Sequence, residues 1–309
     1  MAKGSKLSIY SALVGNVVVA TIKFGAFALS GSSAMLTEAT HSVVDTANQL
    51  LLLYGMHRGS KPPDEGHPFG HGMEIYFWTF VVSLLIFALG AAVAVYQGML
   101  KLLHPTPIDH AGISLAVIVL SAGFEMASLM VSMRAADKTR SAIARRLPKL
   151  SLLQTIHISK DPAVYEVFAE GGASIIGLVF AAAGVVAAAW LHVRWADGLA
   201  SIAIGFLLGV VAFDLGSETR SLLTGEAAAK PVVDQVRSIL MADARVREVS
   251  QVQSMHLGPE EILVAVSLDM HESLSGPQLE QAADELTDRL KAADARITRL
   301  FLRPSAARE

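Results

Sequence analysis

The sequence contains no cysteine among its 309 residues. Disulfide bonds and thiolate metal sites are therefore both excluded, and a tightly held metal ion has to use histidine nitrogen or carboxylate oxygen. Charge is also scarce, because Asp, Glu, Lys and Arg make up 17% of the chain, whereas average proteins carry about 25%. The formal net charge of −3 provides no basic surface of the kind that binds nucleic acid.

Hydrophobic residues take the place of the missing charge. They make up 52% of the chain, and the mean hydropathy is +0.47. Six segments have the length of about 20 residues that a helix needs to cross a bilayer: 8–29, 33–56, 75–100, 111–134, 162–191 and 195–216. The first segment could imitate a signal peptide, but its length and its internal Lys23 favour a retained span.

Basic residues predict the orientation of these spans. The loop between the fourth and fifth spans and the segment before the first span hold most of them: Lys3, Lys6, Arg134, Lys138, Arg140, Arg145, Arg146, Lys149 and Lys160. The loops after the third and fifth spans hold one basic residue each. By the positive-inside rule, both termini and the second and fourth loops face the cytoplasm.

The character of the chain changes after about residue 220. A helical pattern over 231–244 is followed by two alternating segments, 246–258 and 260–271, that are typical of strands joined by a tight turn. An amphipathic helix over 276–294 and a last strand over 296–305 complete the pattern. We therefore predict a transmembrane domain at 1–220 and a small α-β-β-α-β domain at 221–309.

Ionisable side chains inside the predicted spans need an explanation, because each costs about 2.5–3.5 kcal/mol at the bilayer centre on insertion scales. Most of these polar residues fall in the second and fifth spans. The full set is Asn16, Lys23, Glu38, His41, Asp45, Asn48, Glu125, Glu166, Glu170 and Asp214. Hydrogen bonding between helices or snorkelling to the membrane surface is the simpler explanation for Lys23, Glu38 and Asp214.

A metal site explains the rest of the pattern. His41 and Asp45 are one helical turn apart, and Glu166 and Glu170 repeat that spacing in the fifth span. Packing the two stripes together would surround one point with an imidazole and three carboxylates, a set that suits tetrahedral Zn²⁺ and also admits Mn²⁺ or Fe²⁺. We assign supporting roles to four further polar residues: Asn16, Glu38, Asn48 and Glu125.

A second candidate site lies in the loop sequence "PPDEGHPFGHGMEIYFW". Asp64, His67 and His71 are separated by three and four residues, and three glycines between and beside them permit tight turns. These side chains could hold a cation weakly, with water as a fourth ligand. An ordinary polar loop is the alternative.

Three motifs together resemble the cation diffusion facilitator family of divalent metal/proton antiporters: "GSSAMLTEATHSVVDTANQLLLLYG", "HPFGHGMEIYFW" and "DPAVYEVFAEGGASIIGL". They occur in order and, with the C-terminal pattern, cover essentially the whole chain. The "YFW" resembles the branch that contains the mitochondrial-type zinc transporters. The resemblance implies six transmembrane helices, a ferredoxin-like cytosolic domain and a homodimer in the bilayer. It also implies a secondary transporter rather than an enzyme, with no prosthetic group.

The resemblance further implies export of a divalent cation, first of all Zn²⁺, in exchange for protons by alternating access. We expect a bacterial inner membrane as the location. His41 and Asp45 match the second-span half of the family's transport site, and Asp64, His67 and His71 match its loop site.

One departure concerns the fifth span, where many members of this branch have Glu-Asp and this sequence has Glu170-Gly171. We infer that Glu166, one turn earlier, supplies the lost oxygen. Zinc-exporting relatives often carry a His/Asp cluster in the cytosolic domain, of which only His256 and His271 remain here. We therefore expect no binuclear zinc site there, and dimerisation through packing of strands and helices.

Three other functions stay open. An exporter of Mn²⁺, Fe²⁺ or Co²⁺ would use the same donors. A metal-sensing or scaffolding homologue without transport is favoured by Gly171. A membrane metalloenzyme could use histidine and carboxylates to activate water, but the sequence has no HExxH motif of the kind that an intramembrane protease would need.

Overall fold

The computed structural model describes residues 3–105, 107–108, 110–144 and 162–304. Within its helices, the side chains at 3–12, 14–15, 131–144, 162–164 and 166–168 are not described. The side chains of the basic residues that predict the orientation, and the carboxylate of Glu166, are therefore not described.

Six long helices form over the six predicted spans. They are α1 (Lys3–Ser30), α2 (Ser33–Gly59), α3 (Glu74–Leu103), α4 (Ala111–Ala144), α5 (Pro162–Ala189) and α6 (Ala196–Leu223). Their interiors contain no proline. Among these six helices only α5 contains one, Pro162, which is its first residue, where the missing N–H costs nothing. Four stretches in the described part of the chain are long and apolar enough to cross a membrane: Glu74–Leu103, Ala111–Met130, Ala169–Ala189 and Ala196–Leu223.

The helices α1 and α2 do not meet the same requirements of length and hydropathy, for two different reasons. In α1, the apolar stretch with described side chains is only Asn16–Ser30. In α2, the polar residues of the predicted metal site lower the hydropathy. The prediction of apolar membrane-length helices is thus confirmed for four of the six segments, and the crossing of the membrane by α1 and α2 stays a prediction.

The outer surface of α6 supports a lipid environment. Phe206, Val210 and Phe213 lie on one face of the helix and are exposed by 66–78%. An exposed stripe of large apolar side chains is costly in water and favourable against acyl chains. The buried face of the same helix carries Ile204, Leu208 and Leu215, which pack into the core of the helical unit.

A π-helical turn at Ile86–Ala91 interrupts α3, where the sequence predicts a continuous helix. The carbonyl oxygen of Ala91, at the end of this turn, would lie 2.9 Å from a Cβ atom built on Gly205 of α6. A Cβ atom on Gly98 would lie 2.6 Å from the carbonyl oxygen of Gly198. Glycine therefore permits the close approach of α3 and α6, as small residues do between membrane helices.

The chain divides into two compact units, one comprising Met1–Met56 with Phe77–Thr219 and the other His57–Tyr76 with Arg220–Glu309. The second unit contains α7 (Lys230–Met241), β1 (Val246–Gly258), β2 (Glu261–Met270), α8 (Gly276–Ala293) and β3 (Ile297–Pro304). Its three strands follow the order β1-β2-β3, with β1 and β2 antiparallel and β2 and β3 parallel. This is the α-β-β-α-β order that the sequence predicts; the ferredoxin-like assignment stays a prediction.

The core of the second unit follows from the alternation of β2. Every second residue of this strand is buried, because successive side chains point to opposite faces of a sheet. Two helices cover that buried face with apolar side chains, and the principal contributors are Val236, Leu240, Ile262, Val264, Val266, Leu268, Leu286 and Leu290.

The loop 57–76 joins this second unit through a backbone contact. A Cβ atom on Gly72 would lie only 2.4 Å from the carbonyl oxygen of Leu257, and the Cα atom of Gly258 is also within 3.3 Å of that position. Glycine at 72 therefore lets the loop lie directly on the turn between β1 and β2. The sequence pattern does not predict this contact, because the two segments are far apart in the chain.

We expect Gly72→Ala to separate the loop from the β1–β2 turn, because the added methyl group meets a backbone carbonyl that cannot rotate away. Hydrogen exchange of the full-length protein should become faster in residues 57–76 and around Gly258. Gly276→Ala serves as the control, since a Cβ atom there has nothing within 4 Å. Equal exchange rates in the Gly72→Ala variant and the wild type would show that the loop does not need glycine at position 72 for this contact.

Candidate metal centre

The polar stripe of α2 faces the protein interior. Glu38, His41, Asp45 and Asn48 follow one another at spacings of three and four residues, and all four are buried. Their side chains therefore share one face of the helix. The exposed fraction is 2% for His41 and 4% for Asp45.

His41 and Asp45 contain buried polar atoms without hydrogen-bond partners. Nδ1 of His41 lies 3.0 Å from Oδ1 of Asp45, but the two atoms are not aligned as a hydrogen bond. Among the residues that the structure describes, neither ring nitrogen of His41 nor Oδ1 of Asp45 has a hydrogen-bond partner. A buried polar group in this state costs about 1–3 kcal/mol. Imidazole nitrogen and carboxylate oxygen are the atoms with which proteins bind transition metals.

The helix α5 meets this stripe through Glu170. Nδ2 of Asn48 donates a hydrogen bond of 2.8 Å to Oε1 of Glu170. Further along α5, a Cβ atom on Gly177 would lie 3.0 Å from Oε1 of Glu38. The two helices therefore face each other from Glu38 to Asn48, and the polar stripe of α2 lies against the part of α5 that carries Glu170 and Gly177. The side chain of Glu166 lies outside the described residues.

The other predicted supporting residues differ in their positions. Glu125 of α4 is partly buried and interacts electrostatically with both Asp45 and His41. Its supporting role at the site stays a prediction. Asn16 is partly buried on α1, two helical turns before Lys23, and its supporting role stays a prediction.

Gly171 faces a different neighbour from Glu170. The nearest atom to a Cβ built on Gly171 is Cδ1 of Leu129 on α4, at 3.4 Å. The Cβ atom of an aspartate at this position would therefore contact α4, one turn away from Glu125. It would not contact His41 or Asp45.

The predicted loop ligands lie close together. Nε2 of His71 is 2.9 Å from Oδ2 of Asp64, and Nδ1 of His67 is 3.3 Å from Oδ1 of the same carboxylate. One ligand atom from each residue lies within 4.8 Å of the other two. His71 lowers the pKa of Asp64 to about 2, together with the backbone N–H of His67. The carboxylate is thus ionised at neutral pH, as cation binding requires.

The two histidines of residues 220–309 do not share a site. His256 is buried on β1 beside the turn, where it pairs with Ile262 of β2. His271 is exposed and follows β2, where its backbone N–H donates to the carbonyl oxygen of Arg245. They therefore lie at opposite ends of the β1–β2 hairpin.

Asp197 is a buried carboxylate that the sequence does not single out, because it falls at the boundary of a predicted span. Its oxygens accept hydrogen bonds from Oγ of Ser32 at 2.6 Å and from the backbone N–H groups of Ser33 at 2.8 Å and Ala34 at 3.3 Å. Asp197 of α6 thus caps the first turn of α2, where unpaired N–H groups favour a negative charge.

The second missed contact is a buried ion pair between α1 and α2. Nζ of Lys23 lies 3.1 Å from Oε2 of Glu38 and donates a hydrogen bond of 2.9 Å to Oγ of Ser42. The sequence gives hydrogen bonding between helices as the simpler explanation for both residues, but it does not identify them as each other's partners.

Comparison with known proteins identifies a family across most of the chain. The cation efflux transmembrane domain matches residues 9–224. Metal tolerance protein C4 of Arabidopsis thaliana is 30% identical over 269 residues, which cover 86% of this chain and 57% of that protein. The mitochondrial proton-coupled zinc antiporter SLC30A9 of Xenopus laevis is 31% identical over 248 residues, 80% of this chain and 43% of the relative.

A bacterial relative matches nearly its whole length at lower identity. The cation-efflux pump FieF of Shewanella oneidensis is 24% identical over 288 residues, which cover 93% of this chain and 90% of that protein. The chain spans about half the length of the two relatives that are about 30% identical.

We expect Asp197→Ala to destabilise the protein, because it leaves the hydroxyl and N–H groups at the start of α2 without their acceptor. The loss should amount to about 1–3 kcal/mol, measured as a lower Tm of the full chain in detergent. Asp197→Asn retains one acceptor oxygen and should lose less. Thr224→Ala is the control, since this exposed hydroxyl donates to the carbonyl oxygens of Arg220 and Ser221 in the last turn of α6. An unchanged Tm for Asp197→Ala would show that the cap contributes nothing.

Proposed function

The chain belongs to the cation efflux family, and from that premise we propose that it transports a divalent metal cation across a membrane. Family membership and four helices of membrane-spanning length and hydropathy make it a multi-pass membrane protein. The observation that carries the proposal is the buried pair of His41 and Asp45, whose ligand atoms lack hydrogen-bond partners among the described residues. On α5, Glu170 accepts a hydrogen bond from Asn48, which follows Asp45 by three residues on the same face of α2.

Zn²⁺ is the cargo that this donor set supports best. One imidazole and two carboxylates, from His41, Asp45 and Glu170, suit a tetrahedral ion that keeps one further ligand. Relatives named as zinc antiporters support the same choice. Glu125 and Glu166 are the candidates for an additional oxygen ligand, and a site with three carboxylates would admit Mn²⁺, Fe²⁺ or Co²⁺.

Exchange of the cation for protons by alternating access is the mechanism we propose. A hydrated cation from the cytoplasm exchanges water for His41, Asp45 and Glu170, while Asn48 positions the last of these through its amide. Rocking of the helices then opens the site to the other side, where protons compete for the same nitrogen and oxygen atoms. The cation is released there, and the protonated site returns inward.

We further propose a membrane domain of six spans at 1–220 and a cytosolic, ferredoxin-like domain at 221–309. The packing of the loop 57–76 with the C-terminal residues in one unit supports their location on the same side of the membrane. Both termini are then cytoplasmic, in agreement with the charge pattern. A bacterial inner membrane and a homodimer complete this proposal.

The loop residues Asp64, His67 and His71 form a weaker cation site in this proposal. Two of the three side chains are exposed, so water can compete with them for the ion. Their mutual contacts also hold the loop together without an ion. If a binding measurement finds no cation at these residues, their role is structural.

Asp45→Ala should abolish uptake of Zn²⁺ into proteoliposomes, because it removes one of the two charges that balance the ion. Removal of a residue that only supports a ligand lowers metal affinity or activity by about 10–100-fold. We expect Asp45→Ala to lower the uptake rate by more than this. Val43→Ala is the matched control on α2, since Val43 is 47% exposed on another face of the helix. Uptake at the wild-type rate by Asp45→Ala would exclude this transport site.

Proton coupling predicts that an imposed Zn²⁺ gradient moves protons in the opposite direction. A pH-sensitive dye inside the vesicles would record this movement, and parallel assays with Mn²⁺, Fe²⁺ and Co²⁺ would rank the cargo ions. Equilibrium binding of metal without flux of either metal or protons would instead identify a sensor or scaffold.

A further inference from the structure

The ion pair between Lys23 and Glu38 is more deeply buried than stability alone explains. Both side chains have 0% exposure. Removing two charges from water costs several kcal/mol for each ion, and their attraction often only balances this cost. In a membrane helix, a buried ionisable residue is therefore expected to have a functional reason.

The position of the pair links it to the metal centre. Glu38 precedes His41 by three residues on the same face of α2, and Ser42, the second partner of Lys23, follows His41 directly. The ammonium group of Lys23 thus lies beside the turn of α2 that carries the proposed metal ligand.

Only one oxygen of Glu38 is engaged by Lys23. The other, Oε1, is buried and has no hydrogen-bond partner among the described residues. It lies against Gly177 of α5, in the same α2–α5 interface that contains Glu170. Glu38 therefore presents an unused carboxylate oxygen to the interface that holds the metal ligands.

The charge balance indicates what Lys23 changes. Asp45 and Glu170 together carry two negative charges, which match a divalent cation. An additional free carboxylate would add negative charge, which attracts either ion, and a hard oxygen ligand, which favours ions such as Mn²⁺ that prefer more oxygen ligands than Zn²⁺ takes.

We propose that Lys23 determines the metal preference of the transport site by pairing with Glu38 and keeping that carboxylate out of the ligand set. The site then presents His41, Asp45 and Glu170 without Glu38, and it prefers Zn²⁺ to Mn²⁺ more strongly than it would with Glu38 among its ligands. This inference rests on the proposed function, in which His41, Asp45 and Glu170 bind the cargo.

The test measures equilibrium binding, not transport. The full-length protein carries His67→Ala and His71→Ala in every sample, so that the loop ligands do not contribute. Mn²⁺ binding is followed by the electron paramagnetic resonance signal of the free ion, and Zn²⁺ affinity is obtained by displacement of bound Mn²⁺.

Lys23→Met should shift the ratio of the two dissociation constants toward Mn²⁺ by about tenfold or more. A tenfold shift corresponds to about 1.4 kcal/mol of binding free energy. The double variant Lys23→Met/Glu38→Gln removes both charges and should return the ratio to the wild-type value. Lys23→Gln retains hydrogen-bonding groups without the charge and replaces Lys23→Met if that variant does not fold.

Lys101→Met is the matched control for loss of a buried lysine. Its ammonium group donates to the carbonyl oxygen of Gly31 at 2.9 Å and lies near Asp197, away from the α2 stripe. This variant should lower the Tm and leave the ratio of the two dissociation constants unchanged.

Two results would overturn the inference while leaving the proposed function intact. An unchanged ratio in a folded Lys23→Met or Lys23→Gln variant would make the ion pair purely structural. A double variant that stays shifted toward Mn²⁺ would show that Glu38 is not the group through which Lys23 acts. Failure of the wild type to bind either ion in the loop background would overturn the proposed transport site itself, and this inference with it.

Discussion

A polar group that enters a lipid bilayer has to find its partner inside the protein, because the hydrocarbon region supplies none. The structure of the helical unit depends on this constraint. Asp197 meets it by accepting hydrogen bonds from hydroxyl and backbone N–H groups at the start of α2, and Lys23 meets it by pairing with Glu38 and Ser42. These contacts fix α2 to α1 and α6, and they thereby set the position of the polar stripe that α2 carries toward α5.

The same constraint separates structural polar groups from ligand atoms. The carboxylate of Asp197 has its hydrogen bonds complete, as expected of a group that only stabilises. The ring nitrogens of His41 and Oδ1 of Asp45 lack partners among the described residues, although they are as deeply buried. Natural structures rarely keep such atoms without a reason. The proposed transport of a cation supplies that reason, since the ion would bind the groups that the fold leaves unpaired.

Much of this organisation could be predicted from the sequence. Six helices, the change of character near residue 220 and the α-β-β-α-β order all follow from hydrophobic periodicity, and the meeting of α2 with Glu170 follows from the spacing of the polar residues. Partners across helices could not be predicted, because periodicity fixes a face and not its neighbour. The pairing of Lys23 with Glu38, the cap from Asp197 and the contact of Gly72 with Leu257 all belong to this class. The π turn of α3 also has no proline or other local signal in the sequence.

Glu38 combines both kinds of polar atom in one side chain. Its Oε2 is held by Lys23, as a structural group would be, whereas its Oε1 faces α5 unpaired, as the ligand atoms do. A single ammonium group thus decides to which class the carboxylate belongs. Because a buried lysine is costly whether or not metal is bound, its retention beside the ligands is better explained by control of the ligand set than by stability. The metal preference of such a site then depends on a residue that touches no metal ion. That residue lies on another helix, and its position in the sequence gives no indication of the role.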